Sequence, residues 1–286
     1  NPDYYKIRHT RCTECGAACR ITLLYAGDKI LSVRPEKDND HNGDELCYKG
    51  RFAWQNEDMQ YTASGLDELM NIPRDTGMLI SPKMSNEMIE EAIGFAKHKG
   101  IEYACVEFVS DPSDKNILQA DMHDLNTSDI IVLAGPVNQM LQARARLVQL
   151  RRGARIVLIN PPKANFNRFA DNIYPTLDKL HISNKDTKVV FIYTRETCDP
   201  ELKKAIWNKT GQLEHVKVWA NSEYLNTPAI LKYKIPLKEL INADNMIIFG
   251  PTPDNVEAKN ILRLPLRAFG IKGSITNDCL EDIELK

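Results

Sequence analysis

The chain has 286 residues, 43% of them hydrophobic and 27% charged, with a formal net charge of −2. That length holds one large or two medium domains with enough core to fold without staples, and the charge balance gives no electrostatic case for nucleic acid or an anionic membrane. No apolar run approaches the ~20 residues that span a bilayer, and no secretory or twin-arginine leader is visible, Arg151-Arg152 lying mid-chain.

The first signal along the chain is a set of four cysteines. Cys12, Cys15, Cys19 and Cys47 follow C-x2-C-x3-C-x27-C. Three clustered thiols and one distant thiol are how a chain wraps a [4Fe–4S] cube, one loop supplying three corners and a returning segment the fourth. A structural zinc site is the competing reading. Zinc ribbons present two C-x2-C knuckles, and Cys47 has no partner cysteine nearby. His9 and His41 flank the thiols as nitrogen alternatives, but four cysteines already complete the coordination.

Backbone amides in Thr13–Ala18 are the expected donors to sulfur, with Gly16 allowing close approach. Lys49, two residues past a ligand, is placed to approach the cluster, where its charge would favour the reduced form; a solvated helix lysine is the alternative. Arg11, Arg20 and Arg51 can offset cluster charge in the same way, with surface salt bridges as the plainer role. Cys105, Cys198 and Cys279 are scattered and read as buried free thiols.

Ile21–Ala26 and Lys29–Val33, about Gly27-Asp28, predict a β-hairpin. Residues 36–45 read as a solvated polar loop with Asn42-Gly43 as its turn, lacking the spacing of an EF-hand. Lys49-Gly50-Arg51 opens a short helix through Trp54. From about residue 77 strands and helices alternate. Strands are predicted at Met78–Ile80, Tyr103–Val109, Asp129–Leu133 and Ala154–Ile159, with helices from Ser85 to Gly100 and from Gln139 to Leu150. The rhythm resumes with strands at Lys188–Tyr193, Val216–Trp219 and Asn245–Phe249. Helices are predicted at Pro200–Lys209, Leu237–Ile241 and Val256–Leu262.

The fold class expected is α/β: a small β-rich cluster module over 1–60, then Rossmann-like parallel-sheet units over 61–185 and 186–286. Ser128-Asp129 to Gly135-Pro136 echoes Ala243-Asp244 to Gly250-Pro251, two β-α units ending in similar turns. No Ser-His-Asp triad, Cys-His dyad or H-E-x-x-H stands in a motif context, so hydrolysis has no support.

The cysteine pattern, Cys47-Tyr-Lys49-Gly50-Arg51-Phe52 and the two Gly-Pro strand ends together resemble the molybdopterin oxidoreductase superfamily. Its members include formate dehydrogenases, periplasmic nitrate reductases and the large iron–sulfur subunit of complex I. The segment 126–176 resembles that family's pterin-nucleotide domain, through Asp129–Gly135, Gly153–Pro161 and the pair Ala170-Asp171. The resemblance implies one [4Fe–4S] cluster on Cys12, Cys15, Cys19 and Cys47, with Lys49 as an electron relay.

The departures point away from catalysis at a pterin. Catalytic members carry several hundred more residues, and the chain given stops at Lys286. The loop holding their metal ligand reads Ser110-Asp111-Pro112-Ser113, without the His-Gly context of formate dehydrogenases. The basic residue of their "dpr" tripeptide is replaced in Asn160-Pro161-Pro162. Molybdopterin is therefore expected to be absent and no catalytic residue is assigned.

What the resemblance then implies is an electron-transfer subunit like the large iron–sulfur subunit of complex I (NADH dehydrogenase) or its hydrogenase and formate dehydrogenase relatives. Its partners would be ferredoxin-like, flavin/NADH-binding, hydrogenase or formate dehydrogenase subunits. Its place would be cytoplasmic or on the cytoplasmic (matrix) side of a membrane complex. The sequence opens on Asn1 rather than Met, leaving room for a segment upstream. A truncated or split molybdenum- or tungsten-pterin enzyme, and a structural or assembly module with a non-cycling cluster, are the alternatives.

Overall fold

A computed structural model describes the chain apart from residues 1–3, 28, 40, 57–71, 74, 83, 106–119, 183–186, 212, 214, 223–229, 231, 234, 237–242, 250–257, 265–272, 277–281 and 286. It divides into two compact units. The first comprises Asn1–Glu36, Tyr48–Val109 and Tyr224–Lys286; the second comprises Lys37–Cys47 and Ser110–Glu223.

The first unit opens with a three-stranded antiparallel sheet, β1 (Tyr5–Arg11), β2 (Arg20–Ala26) and β3 (Lys29–Pro35), in the order β1-β2-β3. The predicted hairpin is β2–β3, with a register irregularity between Leu24 and Tyr25. One face of this sheet buries Ile21, Leu23 and Val33. A short helix α1 (Tyr48–Phe52), running on into a 3-10 turn over Ala53–Asn56, packs beside β3.

The same unit contains a parallel sheet of β4 (Thr76–Ile80), β5 (Glu102–Ala104), β11 (Asn245–Phe249) and β12 (Asn260–Leu264), in the order β12-β11-β4-β5. Helix α2 (Asn86–Lys99) begins where Ser85 Oγ accepts from the Met88 amide and ends at Gly100 with φ 66°, a left-handed cap that a side chain would strain. Its Ile89, Ala92 and Ala96 pack with Met78, Ile80 and Ile247. A two-stranded antiparallel pair, β13 (Gly273–Thr276) and β14 (Asp282–Leu285), completes the described elements here.

The second unit is a five-stranded parallel sheet of β6 (Ile130–Ala134), β7 (Arg155–Ile159), β8 (Asn172–Tyr174), β9 (Val189–Thr194) and β10 (Val216–Asn221). Its order, β10-β9-β6-β7-β8, grows outward from β6 in both directions, so the strand order reverses between β6 and β9. This sheet draws strands from both sides of residue 185. Its helices are α3 (Met122–Thr127), α4 (Gln139–Arg152) and α5 (Pro200–Thr210). Val132, Val157, Phe191, Tyr193, Ile206 and Val218 form the core, each fully enclosed.

Of the helix expected over Val256–Leu262, residues 256 and 257 lie outside the described residues, and Asn260–Leu264 is instead a strand paired in parallel with β11. A short apolar run reads equally as helix or strand, and the free edge of β11 decides it. The helix expected at Leu237–Ile241 lies outside the described residues. The loop 36–45 also differs from a solvated one. Asn42 N donates to Asn39 Oδ1 at 2.9 Å, and Asn39 Nδ2 donates to the Gly43 carbonyl at 2.8 Å, with both asparagines buried.

Candidate cluster site

The three clustered cysteines lie on the connection between β1 and β2, within the first unit. Two main-chain bonds shape it: Cys12 N donates to Cys19 O at 2.7 Å, and Ala18 N donates to Cys15 O at 3.1 Å. The first continues the β1–β2 ladder beyond Arg11 and Arg20, whose Cα atoms are register partners. Arg11 Nη1 donates to the Ala18 carbonyl at 3.0 Å and holds the turn from the strand side. Ala18 has φ 45°, a left-handed conformation that costs an alanine ~1–2 kcal/mol and that the surrounding bonds enforce.

Cys12 and Cys19 are buried, Cys15 is half-buried, and Gly16 and Ala17 are buried between them. Burial pushes the Cys12 thiol well up, and negative charge on Cys19 or Cys15 would raise it further. The Glu14 backbone amide, hydrogen-bonded to Cys12, acts against this. Burial likewise lowers the Arg11 guanidinium pKa, helped by the neighbouring charge of Arg20. Metal-free, this loop therefore disfavours thiolates.

The expected amide donors divide accordingly. That of Glu14 serves Cys12, whereas that of Ala18 is used by Cys15 O. The Thr13 hydroxyl is buried and has no hydrogen-bond partner. Soft sulfur donors, an amide aimed at sulfur and an idle buried hydroxyl suit an iron–sulfur cluster in kind. Among the described residues, however, no three or more His, Cys, Asp or Glu side chains stand together as a metal cage.

Cys47 is half-buried at the end of the Lys37–Cys47 segment, which belongs to the second unit. Lys49 is exposed on α1, while Gly50 beside it is buried. His9 is occupied on the sheet, its Nδ1 3.2 Å from Thr22 Oγ1 and 3.7 Å from Glu36.

Residues 5–58 match the molybdopterin oxidoreductase Fe4S4 domain family. That span takes in β1 to β3 and all four cysteines, and the match supports a [4Fe–4S] cluster in an oxidoreductase. Over 45 residues the chain is also 40% identical to "Probable oxidoreductase YjgC" of Bacillus subtilis (strain 168). The aligned stretch is 16% of this chain and 5% of that relative's length.

Beyond the Fe4S4 domain, the residues singled out by resemblance have structural work. Asp171 Oδ2 accepts from the Ile156 amide at 2.7 Å and from Gln149 Nε2 at 2.9 Å, which ties β8 and α4 to β7. Asp129 Oδ2 accepts from Lys188 N at 3.0 Å and joins the starts of β6 and β9. In the echoing unit Asp244 Oδ2 takes Lys259 Nζ at 2.7 Å. Gly135, φ 66°, sits where an added Cβ would meet Cys198 Sγ at 3.6 Å. Asn160 in the altered tripeptide has φ 45°. Ser110, Asp111 and Gly250-Pro251 lie outside the described residues.

Thr13 and the left-handed Ala18 were not legible in advance. Thr13 is one unremarkable residue inside the cysteine motif, and an alanine gives no sign of a positive φ. Among the described residues no helix is long and apolar enough to cross a membrane.

Proposed function

We propose that this chain is an iron–sulfur electron-transfer subunit of a multisubunit oxidoreductase of the NADH dehydrogenase, hydrogenase or formate dehydrogenase type. It carries one [4Fe–4S] cluster on Cys12, Cys15, Cys19 and Cys47, and the parallel sheet around β6 and β7 is a pterin-binding scaffold that no longer holds molybdopterin. The observation that carries this reading is the cysteine loop over 12–19, lying inside the segment that matches the Fe4S4 family.

When bound, such a cluster supplies one-electron transfer at a potential set by hydrogen bonds, charge and burial. The chain's part is to enclose it. Cys12 and Cys19 bring buried sulfur, the Glu14 amide and the Thr13 hydroxyl are the candidate donors to it, and Arg11 fixes the loop through Ala18 O. Lys49 is the candidate relay from the helix that follows Cys47.

Metal and cofactor analysis of anaerobically purified protein, with EPR after dithionite reduction, tests the reading. The expected result is about four irons per chain, a [4Fe–4S] signal, and no molybdenum, tungsten or pterin. Iron accompanied by molybdenum or tungsten and pterin would make this part of a catalytic subunit. Zinc without iron would overturn both.

A further inference from the structure

The strands of the N-terminal sheet carry a marked charge asymmetry. Their sequences, YKIRHTR, RITLLYA and KILSVRP, hold Lys6, Arg8, Arg11, Arg20, Lys29 and Arg34 but no aspartate or glutamate. The whole chain has a net charge of −2, so this excess is local.

Register separates the side chains by face, because residues opposite one another in an antiparallel ladder share a side. Tyr5, Ile7, His9 and Arg11 stand opposite Ala26, Leu24, Thr22 and Arg20, and Thr22 in turn stands opposite Arg34. This face lies opposite the one that buries Ile21, Leu23 and Val33. It has two ends. Arg11 and Arg20 flank the cysteine loop, Arg34 stands opposite Thr22 on the third strand, and Glu36 answers part of the Arg11 charge and lies 3.7 Å from His9. Tyr5 and Ile7 form the other end, where Lys29 stands opposite Ala26; they are 56% and 66% exposed, a degree of solvent contact that an interface would remove.

We infer that this face docks a small acidic electron-carrier protein of the iron–sulfur type, whose carboxylates meet Arg20 and Arg34 while an apolar contact seats on Tyr5 and Ile7. The inference rests on the electron-transfer reading above. A cationic rim beside an apolar anchor fits an acidic protein surface, since complementary charge steers encounter and exposed aromatic residues anchor it. A carrier docked there would approach the loop of Cys12, Cys15 and Cys19 along the β1 and β2 strand ends.

The test is stopped-flow reduction of the cluster-loaded full chain by a small acidic bacterial 2[4Fe–4S] ferredoxin. The second-order rate constant should fall by roughly tenfold or more between about 0.01 and 0.5 M salt. Arg34→Glu and Ile7→Asp should each slow the ferredoxin reaction at low salt, and Arg34→Lys should restore it. Iron content should stay unchanged in these variants, and the rate with an uncharged reductant should change far less than the ferredoxin rate. A salt-independent rate, or an Arg34→Glu rate equal to that of the parent, would overturn the docking surface. So would preferential binding of the face to single-stranded DNA or anionic vesicles, measured with the same variants. A cluster that dithionite cannot reduce would instead defeat the electron-transfer reading itself.

Discussion

Replacing Asn138 with alanine should weaken the second unit at the point where its strand order reverses. Asn138 does two jobs. Its Oδ1 accepts from the Leu141 amide at 2.9 Å and caps α4, and its Nδ2 donates to Asn221 Oδ1 at 2.7 Å at the end of β10. Loss of an N-cap costs ~1 kcal/mol, and loss of one intramolecular hydrogen bond costs ~1 kcal/mol net. Asn138→Ala should therefore destabilise the unit by ~2 kcal/mol, about a thirtyfold change in its opening equilibrium. Asn138→Asp separates the two contributions. It keeps the cap and places negative charge at a helix N-terminus, but it turns an acceptor toward Asn221 Oδ1, so its loss should be nearer ~1 kcal/mol or less.

Because the chain has two compact units, a global melt mixes their transitions, and hydrogen exchange at the Leu141 amide is the sharper assay. Exchange there should speed up strongly in Asn138→Ala and little in Asn138→Asp. An Asn138→Ala loss below about 0.5 kcal/mol, or equal behaviour of the two variants, would refute the two-part account.

Other outcomes follow from single contacts. Asp171→Ala removes the acceptor of the Ile156 amide and should cost ~2 kcal/mol, with faster exchange at Ile156 and a smaller loss in Asp171→Asn. Tyr193→Phe takes from Trp207 Nε1 its buried acceptor at 2.9 Å and should cost ~1–2 kcal/mol, read by tryptophan fluorescence during denaturant unfolding. Cys12→Ala should abolish the dithionite-reduced EPR signal and sharply lower iron content while leaving amide exchange in β6 and β7 unchanged; retained iron would remove Cys12 from the ligand set.

How far the fold was legible depended on local signals. Ser85 and Gly100 marked both ends of α2 because a capping hydroxyl and a left-handed glycine are chemical requirements of those positions. The unbroken apolar runs of β6 and β9 announced strands covered on both faces. β1 gave no such run, since most of YKIRHTR is exposed and its alternation is polar. The residues of β12 suggest a helix because the partner that makes them a strand, β11, is a tertiary fact. That β9 returns beside β6 rather than extending past β8 is likewise set by long-range packing. At the site, the three-cysteine loop was plain in the spacing. The place of Arg11 on the Ala18 carbonyl was not, because that bond needs the left-handed turn at Ala18.

The interleaving of the two units has a consequence for synthesis. β4 has Thr76 paired with Asn245 of β11, whereas every strand of the second unit lies between Ile130 and Asn221. At ~5–20 residues per second, β4 waits roughly 8–34 s on the ribosome for its neighbour, while the intervening sheet can already close. During that interval the side chains of Met78, Leu79 and Ile80, at 0–2% exposure in the finished fold, lack the strand that covers them. A nascent chain halted before Asn245 should thus hold a folded second unit and a chaperone-binding first one.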